Sequence, residues 1–447
     1  MLKRLGQVLA ALALLAVIAA GLTVAAPHRQ GASHELTTST TPVLWVLSDS
    51  HFITPQLHDQ GEAYTEIKQS AAGKDIQHQP VAIKALVHAA LTAKPRPTAV
   101  ILTGDVTFNG ERASAQDLAK RLAPLQAAGI HVLAIPGNHD IYDGWARKYK
   151  GKNQYKVPQI SPTEWRRIFS DGYQSEIAED SASLSYTIAL NANYQLIMLD
   201  SNIYTIQPSN RNPNTGGELK PATMSWLKTQ LAAGKKAGRT SLVFMHHNLY
   251  QHNHVVSTGY VLNNAKALRK LLTRYQVPAL FSGHIHAQDV MAGKKGEPVE
   301  VVNGSYSISP AGYGVVQLTS KDLTYTRKQA DLLPVLTAKQ KQNPELAHYQ
   351  RYLKKLFLQN GEGLAVQSLY NRPGITEADL DAGMHFMGEL NWRFFTGQDH
   401  ISDTEVNALK QTRGYQVDAK TASLKRYINT IIQDTNMNDL HFTIKTK

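Results

Sequence analysis

Val132-Leu133-Ala134-Ile135-Pro136-Gly137-Asn138-His139-Asp140 joins an uninterrupted apolar run of strand length to a cluster of polar, chemistry-bearing side chains. Such a run suits a strand buried on both faces, as in a parallel sheet covered by helices. The same join recurs along the chain. Residues 43–47 lead into Asp49, Ser50 and His51, and residues 99–102 into Gly104 and Asp105, with Asn109 and Gly110 just beyond. Further on, 242–245 lead into His246, His247 and Asn248, and 279–281 into Gly283, His284, Ile285 and His286. Apolar runs at 195–199, 299–302 and 312–318 complete the strand series, and 81–93, 113–128, 224–233 and 263–275 between them carry helical patterns. That alternation predicts an α/β layered fold, in which ligands collect at the C-terminal ends of the strands.

Taken singly, each polar cluster is a weak signal. Together they are informative, because a hydrophobic strand does not need Asp, Asn or His at its end for packing. Brought to one edge, these groups would repel or stand desolvated unless a cation bound them. The chain has no cysteine, which excludes disulfides, thiolate zinc sites, iron–sulfur clusters and a cysteine nucleophile, so any metal sits on nitrogen and oxygen. Asp, Asn and His without thiolate suit Mn, Fe or Zn ions. Seven such groups exceed what one ion takes. Two ions sharing a carboxylate, about 3.5 to 4 Å apart, are a known device for in-line displacement at phosphorus.

The remaining composition narrows the class. A chain of 447 residues with 42% hydrophobic and 18% charged residues is a folded protein, neither a disordered tail nor a polytopic membrane protein. Its net charge of +12 suits an anionic substrate or surface, but the basic residues are scattered and form no nucleic-acid arm, so no specific nucleic-acid binding is expected. Lys3 and Arg4 precede an uncharged stretch, 5–26, that reads as a signal peptide or a membrane anchor, followed by a polar linker at 27–41. The positive charges ahead of it direct the rest of the chain out of the cytoplasm, to an extracellular or cell-surface location.

Residues 42–327 are expected to form the catalytic domain and 328–447 a small all-α domain. Its best-defined helix begins at a capping box of Thr376 and Asp379, with Ile375 and Leu380 as a staple and Gly397 as the stop. The stripe Leu380, Met384, Met387, Leu390 and Phe394 reads as a face packed into a bundle rather than a partner groove.

The order Asp-x-His, Gly-Asp with a later Asn-Gly, Gly-Asn-His-Asp, His and Gly-His-x-His resembles the calcineurin-like metallophosphoesterase superfamily, over residues 43–318. The resemblance implies a metallophosphoesterase β-sandwich flanked by helices, in four layers αββα. By the same resemblance Asp49, His51 and His286 hold a first ion, Asn138, His246 and His284 a second, and Asp105 bridges them, with a hydroxide between the ions as nucleophile. His247 is the alternative to His246. His139 faces the scissile phosphate, with Asp140 as its candidate orienting partner. Three residues after Asp105, where purple acid phosphatases carry a metal-bound tyrosine, this chain has Phe108. The layout further resembles exported bacterial proteins of cyclic-nucleotide phosphodiesterase type with a helical extension. The expected activity is therefore hydrolysis of small, nucleotide-like phosphodiesters; the alternatives are a phosphomonoesterase or nucleotidase on the same site and, least favoured, a non-catalytic scaffold. Residues 143–165 and 204–220 read as surface loops or as a rim to the site, and His252 and His254 as substrate contacts or plain loop residues.

Overall fold

The computed structural model describes residues 35–370, 372–434 and 437–446. The expected export segment lies outside them, and among the described residues no helix is long and apolar enough to cross a membrane. Strands β1 (Val43–Leu47), β2 (Ala99–Thr103) and β3 (His131–Ile135) lie side by side and parallel. A separate ribbon follows, made of β4 (Arg147–Lys150) and β5 (Asn153–Lys156). Next in the chain come β6 (Ala178–Glu179), β7 (Tyr186–Ala189), β8 (Tyr194–Met198), β9 (Thr240–Phe244), β10 (Ala279–Ser282), β11 (Asp289–Ala292) and β12 (Val299–Val302). They form a seven-stranded sheet in the order β11-β12-β10-β9-β8-β7-β6. Finally β13 (Gly312–Leu318), β14 (Asp322–Gln329) and β15 (His441–Lys445) join the first sheet, giving β15-β14-β13-β1-β2-β3.

Strand periodicity explains the layering. Leu44 and Val46 point into one core, and Val43, Trp45 and Leu47 into another. Leu133 and Ile135 divide from Val132 and Ala134 in the same way. The first core joins the two sheets, with Leu196, Phe244 and Phe281 opposite Leu44 and Ile101, and it extends to Leu227, Leu231, Leu268 and Leu272 of the helices Pro221–Lys236 and Ala265–Arg274. The second core buries the outer face of the first sheet under the helices Gln79–Thr92 and Arg112–Ala127. The order is helix, sheet, sheet, helix.

The helical region runs from Ala338–Lys341 to Ala422–Ile432. Thr376 and Asp379 form the capping box and Gly397 ends the helix Glu377–Thr396 in the left-handed conformation at φ 69°. Met387, Leu390 and Phe394 pack against Leu369 and Ile428, so the stripe is a bundle face. The same cluster takes in Ile285, between His284 and His286, which places the bundle behind that loop.

At both ends of the catalytic unit the structure differs from the sequence reading. Residues 441–445, read there as part of an all-α domain, form strand β15, which pairs antiparallel with β14. Phe442 stacks on Tyr325 at 5.5 Å between ring centroids. His441, Phe442, Thr443, Ile444 and Lys445 hold only two apolar residues, too weak a pattern to declare a strand without sight of the partner. Likewise 35–41, read as linker, is tied down: Leu36 and Thr37 donate backbone N–H groups to Ala189 and Leu190, at 3.0 and 3.1 Å, and Glu35 pairs with Arg239 at 2.9 Å.

Candidate metal centre

The strands β1, β2, β3, β9 and β10 all end at the same edge of the sandwich, and the loops that follow them interlock. A Cβ on Gly137 would collide with Asp105, and one on Gly283 with Ser48 and Asp49, so neighbouring loops can approach this closely only with glycine there. Asp49, His51, Asp105, His284 and His286 all adopt positive φ, between 41° and 71°. Left-handed backbone at a residue other than glycine costs about 1–3 kcal/mol and persists where the surroundings over-determine it. Five such residues at one edge mark a shaped site.

Two clusters result, with Asp105 in both. Asp49, His51, Asp105 and His286 offer ligand atoms within 4.8 Å of one another, and so do Asp105, His246 and His284. Within the first, His286 Nε2 lies 3.3 Å from Asp49 Oδ1, and His51 Nε2 lies 3.9 Å from Asp49 Oδ1 and from Asp105 Oδ2. Asp105 Oδ2 also faces His246 Nε2 at 3.4 Å, and that nitrogen meets Asn138 Oδ1 at 3.1 Å. Backbone carbonyls fix the ring orientations. His246 Nδ1 donates to Thr103 O at 2.9 Å, leaving Nε2 for an ion, and His284 Nε2 donates to Thr215 O and Gly259 O at 2.9 and 3.0 Å, leaving Nδ1.

The donors fit the pair of ions. Asp49 Oδ1 is buried with no hydrogen-bond partner, while Oδ2 accepts from Ser48 Oγ and His284 N. Burial opposes ionisation of Asp105, yet His246, His139 and His51 hold its carboxyl well below the usual range. Burial likewise lowers His246, but Asp105 and Asp49 outweigh it and push that imidazole up to about 9. Burial and the neighbouring His246 take His284 down to about 4, which favours the neutral ring that a metal needs.

His247 stands outside both clusters, its Nδ1 meeting Ser201 Oγ at 2.8 Å. Phe108 packs with Ile53, Tyr64 and Tyr149 and offers no oxygen to the site.

Asp140 requires a correction. Its Oδ2 accepts the N–H groups of Gly137 and Val106 at 2.8 and 3.2 Å, and its Oδ1 accepts Thr107 N–H and Oγ1 at 2.9 and 2.7 Å. Both oxygens pin the β3 loop to the β2 loop, so Asp140 does not orient His139. Asn109 and Asp143 do so instead: His139 Nδ1 lies 3.0 Å from Asn109 Oδ1 and 3.3 Å from Asp143 Oδ2, leaving Nε2 free. The backbone N–H of His139 donates to Asp105 Oδ1 at 2.8 Å. Asp143 was legible in principle, four residues beyond His139, but only the turn between them brings the two together. Lys74 is a second residue that the motifs did not reveal. Burial lowers the basicity of its ammonium against the pull of Asp105 and Asp49, whose charges therefore reach it.

The two loop runs do rim the site. Trp145, 43% exposed, stands with its ring 6.2 Å from that of His139 and donates Nε1–H to Asn212 Oδ1. Thr215, in the second run, supplies the carbonyl that holds His284. His252 is no substrate contact; it is buried between Asp289 and Glu300 at 2.8 and 2.9 Å, while His254 is exposed.

Residues 42–288 match the family model described as calcineurin-like phosphoesterase. The chain belongs to that family. Residues 331–438 match the model for the C-terminal domain of cyclic nucleotide phosphodiesterase. A cAMP/cGMP dual specificity phosphodiesterase of Mycobacterium tuberculosis is 23% identical over 211 residues, which are 47% of this chain and 55% of that protein. The chain thus spans about half the length of this curated relative. Among solved structures, a dimetal phosphatase from Danio rerio aligns at 13% identity over 64% of this chain and 96% of its own, with a TM-score of 0.48. A purple acid phosphatase from yellow lupin seeds aligns at 12% identity over 66% and 52%, with a TM-score of 0.39. The calcineurin-like phosphoesterase domain is therefore a hydrolase whose ligand clusters can hold metal.

Proposed function

We propose that this calcineurin-like phosphoesterase is an exported phosphodiesterase for small, nucleotide-type diesters, working with two metal ions. Asp49, His51 and His286 would hold one ion and Asn138, His246 and His284 the other, with Asp105 shared. When bound, the ions supply positive charge for the phosphoryl oxygens and a nucleophile at neutral pH. The chain's own residues supply the rest. His139, its Nδ1 turned to Asn109 and Asp143, presents Nε2–H to the leaving oxygen. Burial would depress this imidazole, but Asp105 and Asp143 raise it, which keeps the proton available. A diester expels a poor alkoxide, for which such a donor is useful. Trp145 offers an exposed aromatic face beside His139 on which a base could stack.

The observation that carries the ester type is the match of residues 331–438 to the C-terminal domain of cyclic nucleotide phosphodiesterase. The relative from Mycobacterium tuberculosis, named for cAMP and cGMP, supports the same substrate class. The test compares kcat/KM for matched aryl phosphate diesters and monoesters, with cyclic nucleotides included, using Mn²⁺-loaded protein that begins at Glu35. The diester should be preferred, and a clear preference for the monoester would promote the phosphatase reading. Export rests on the 1–26 segment and is checked by fractionation and N-terminal sequencing of the secreted or membrane-bound form.

A further inference from the structure

The loop 305–310 contains no Asp, Asn or His, yet it holds two of the candidate ligands by their backbones. Ser305 Oγ donates to Asp49 O at 2.7 Å, and Ser305 N–H donates to His286 O at 3.0 Å. Beside them Tyr306 N–H donates to Ser48 O at 2.9 Å, and Ser307 N–H reaches Asp49 O at 3.4 Å. Ser305, Tyr306 and Ser307 are all buried. Asp49 and His286 stand in left-handed backbone at φ 51° and 66°, a conformation that residues other than glycine keep only where the surroundings impose it. This loop supplies part of that constraint.

The helical region in turn holds the loop at three points. Asp75 N–H donates to Ser307 O at 2.6 Å, and Asp75 Oδ2 accepts the Tyr349 hydroxyl at 2.8 Å. Trp392 Nε1–H donates to Ser309 Oγ at 2.9 Å, and Gln350 Nε2–H donates to Pro310 O at 3.0 Å. Tyr349 and Gln350 open the helix Tyr349–Leu369, and Trp392 lies on Glu377–Thr396, so two helices grip one loop. Asp75 is fixed on its other oxygen as well, where Oδ1 accepts the N–H groups of Gln77 and His78 at 3.1 Å each. Asp75 and Tyr349 are both buried, so water does not compete for the bond between them. The ligands of the other cluster are oriented from elsewhere: His246 by Thr103 O, and His284 by Thr215 O and Gly259 O.

We propose that the 305–310 loop is the positioning element for the ion of Asp49, His51 and His286, and that the helical region, through Tyr349 and Asp75, sets where that loop stands. The inference rests on the two-ion reading above and makes one of the two sites depend on the helical region. Ser305 and Tyr349 are its positioning residues. Neither is a candidate ligand: Ser305 acts through the carbonyls and N–H groups that fix Asp49 and His286, and Tyr349 acts one step further back, through Asp75 and Ser307. Removing the Tyr349 hydroxyl takes a donor from a buried carboxylate oxygen, which must then relax and carry its partner Ser307 with it. Groups that orient metal ligands control affinity by about ten- to a hundredfold. Since the bonds of this loop end on Asp49 and His286, the effect falls on one ion.

The test is Mn²⁺ binding to the full chain by equilibrium dialysis, with Tm measured alongside. The wild type should bind two ions, and Tyr349→Phe and Ser305→Ala should each weaken one of them by about ten- to a hundredfold and leave the other unchanged. Added to His246→Ala, Tyr349→Phe should weaken the ion that remains; added to His286→Ala, it should change nothing further. Thr376→Ala, which removes a helix cap whose bonds stay within its own helix, should lower Tm and leave both affinities as they are. Two ions held with unchanged affinity in both Tyr349→Phe and Ser305→Ala would overturn the proposal while the two-ion reading stands. Equal weakening of both ions would mean a general loosening of the bundle behind Ile285, and the proposal falls in that case too. A wild type that binds fewer than two ions overturns the two-ion reading and this proposal with it.

Discussion

His51 Nε2 and His286 Nε2 stand 3.1 Å apart, although 235 residues separate them in the chain. Two imidazoles meet this closely where one donates to the other or where both nitrogens turn their lone pairs to a shared cation. Asp49 Oδ1, buried and unpartnered 3.3 Å from His286, favours the cation. Asp105 connects this cluster to the one around His246 and His284.

Metal analysis of active protein should therefore find about two transition ions per chain. Asp105→Asn should lower the occupancy of both sites together, because its carboxylate faces both clusters. His286→Ala should weaken one site and leave about one ion. A fully active preparation holding one ion would refute the shared-carboxylate reading.

His139→Ala should keep both ions and lose about 10² to 10⁴ in kcat, the range for a positioned proton donor. Asp143→Asn should lower the rate less and shift the limb of the pH–rate profile that His139 controls, since Asp143 touches the imidazole and not the substrate. Loss of the metals in His139→Ala would reassign the residue.

The Lys74 ammonium is buried near enough to Asp105 and Asp49 for their charges to act on it. Lys74→Met should raise KM for anionic diesters by about tenfold, the equivalent of 1.4 kcal/mol, with kcat changed much less. An equal fall in kcat and kcat/KM would instead place Lys74 in transition-state stabilisation.

Glu111, fully buried, supports the Asn109 backbone N–H at 3.2 Å. Burial pushes its carboxyl up to about 8. The folded chain thus holds this proton more tightly than the unfolded chain, so stability falls as pH rises from about 4.5 through about 8. Glu111→Gln, which cannot ionise, should resemble the wild type near pH 4.5 and be more stable than it above pH 8. Urea midpoints at the two pH values check this, and a difference that does not change with pH would contradict it.

Much of the site was readable in the chain because strand and ligand are local neighbours. An apolar run buried on both faces needs only five residues to declare itself, and the Asp, Asn or His that follows is positioned by the strand it leaves. Asp49, His51, Asp105, Asn138, His246, His284 and His286 were singled out in this way, and the structure brings six of them into two clusters with Asn138 beside His246; the layered sandwich and the Thr376 cap were legible by the same local reasoning. His246, preferred over His247 by the rule that the ligand follows its strand directly, is the one of the two that lies in a candidate cluster.

What required the tertiary structure was every relation between side chains that the chain order does not rank. Asp140 and Asp143 are equal candidates beside His139 in sequence; the turn between them sends one carboxylate into backbone N–H groups and the other to the imidazole. Strand β15 became a strand only because β14 presented an open edge, and oxygens of Asp289, Asp434 and Asp439 came within 4.8 Å of one another only because the helical region returns to the sheet. Local sequence determines which backbone forms and which groups leave it. Which charges then share a buried space depends on long-range closure of the chain, since electrostatic interactions follow distance in the fold and not separation in the sequence.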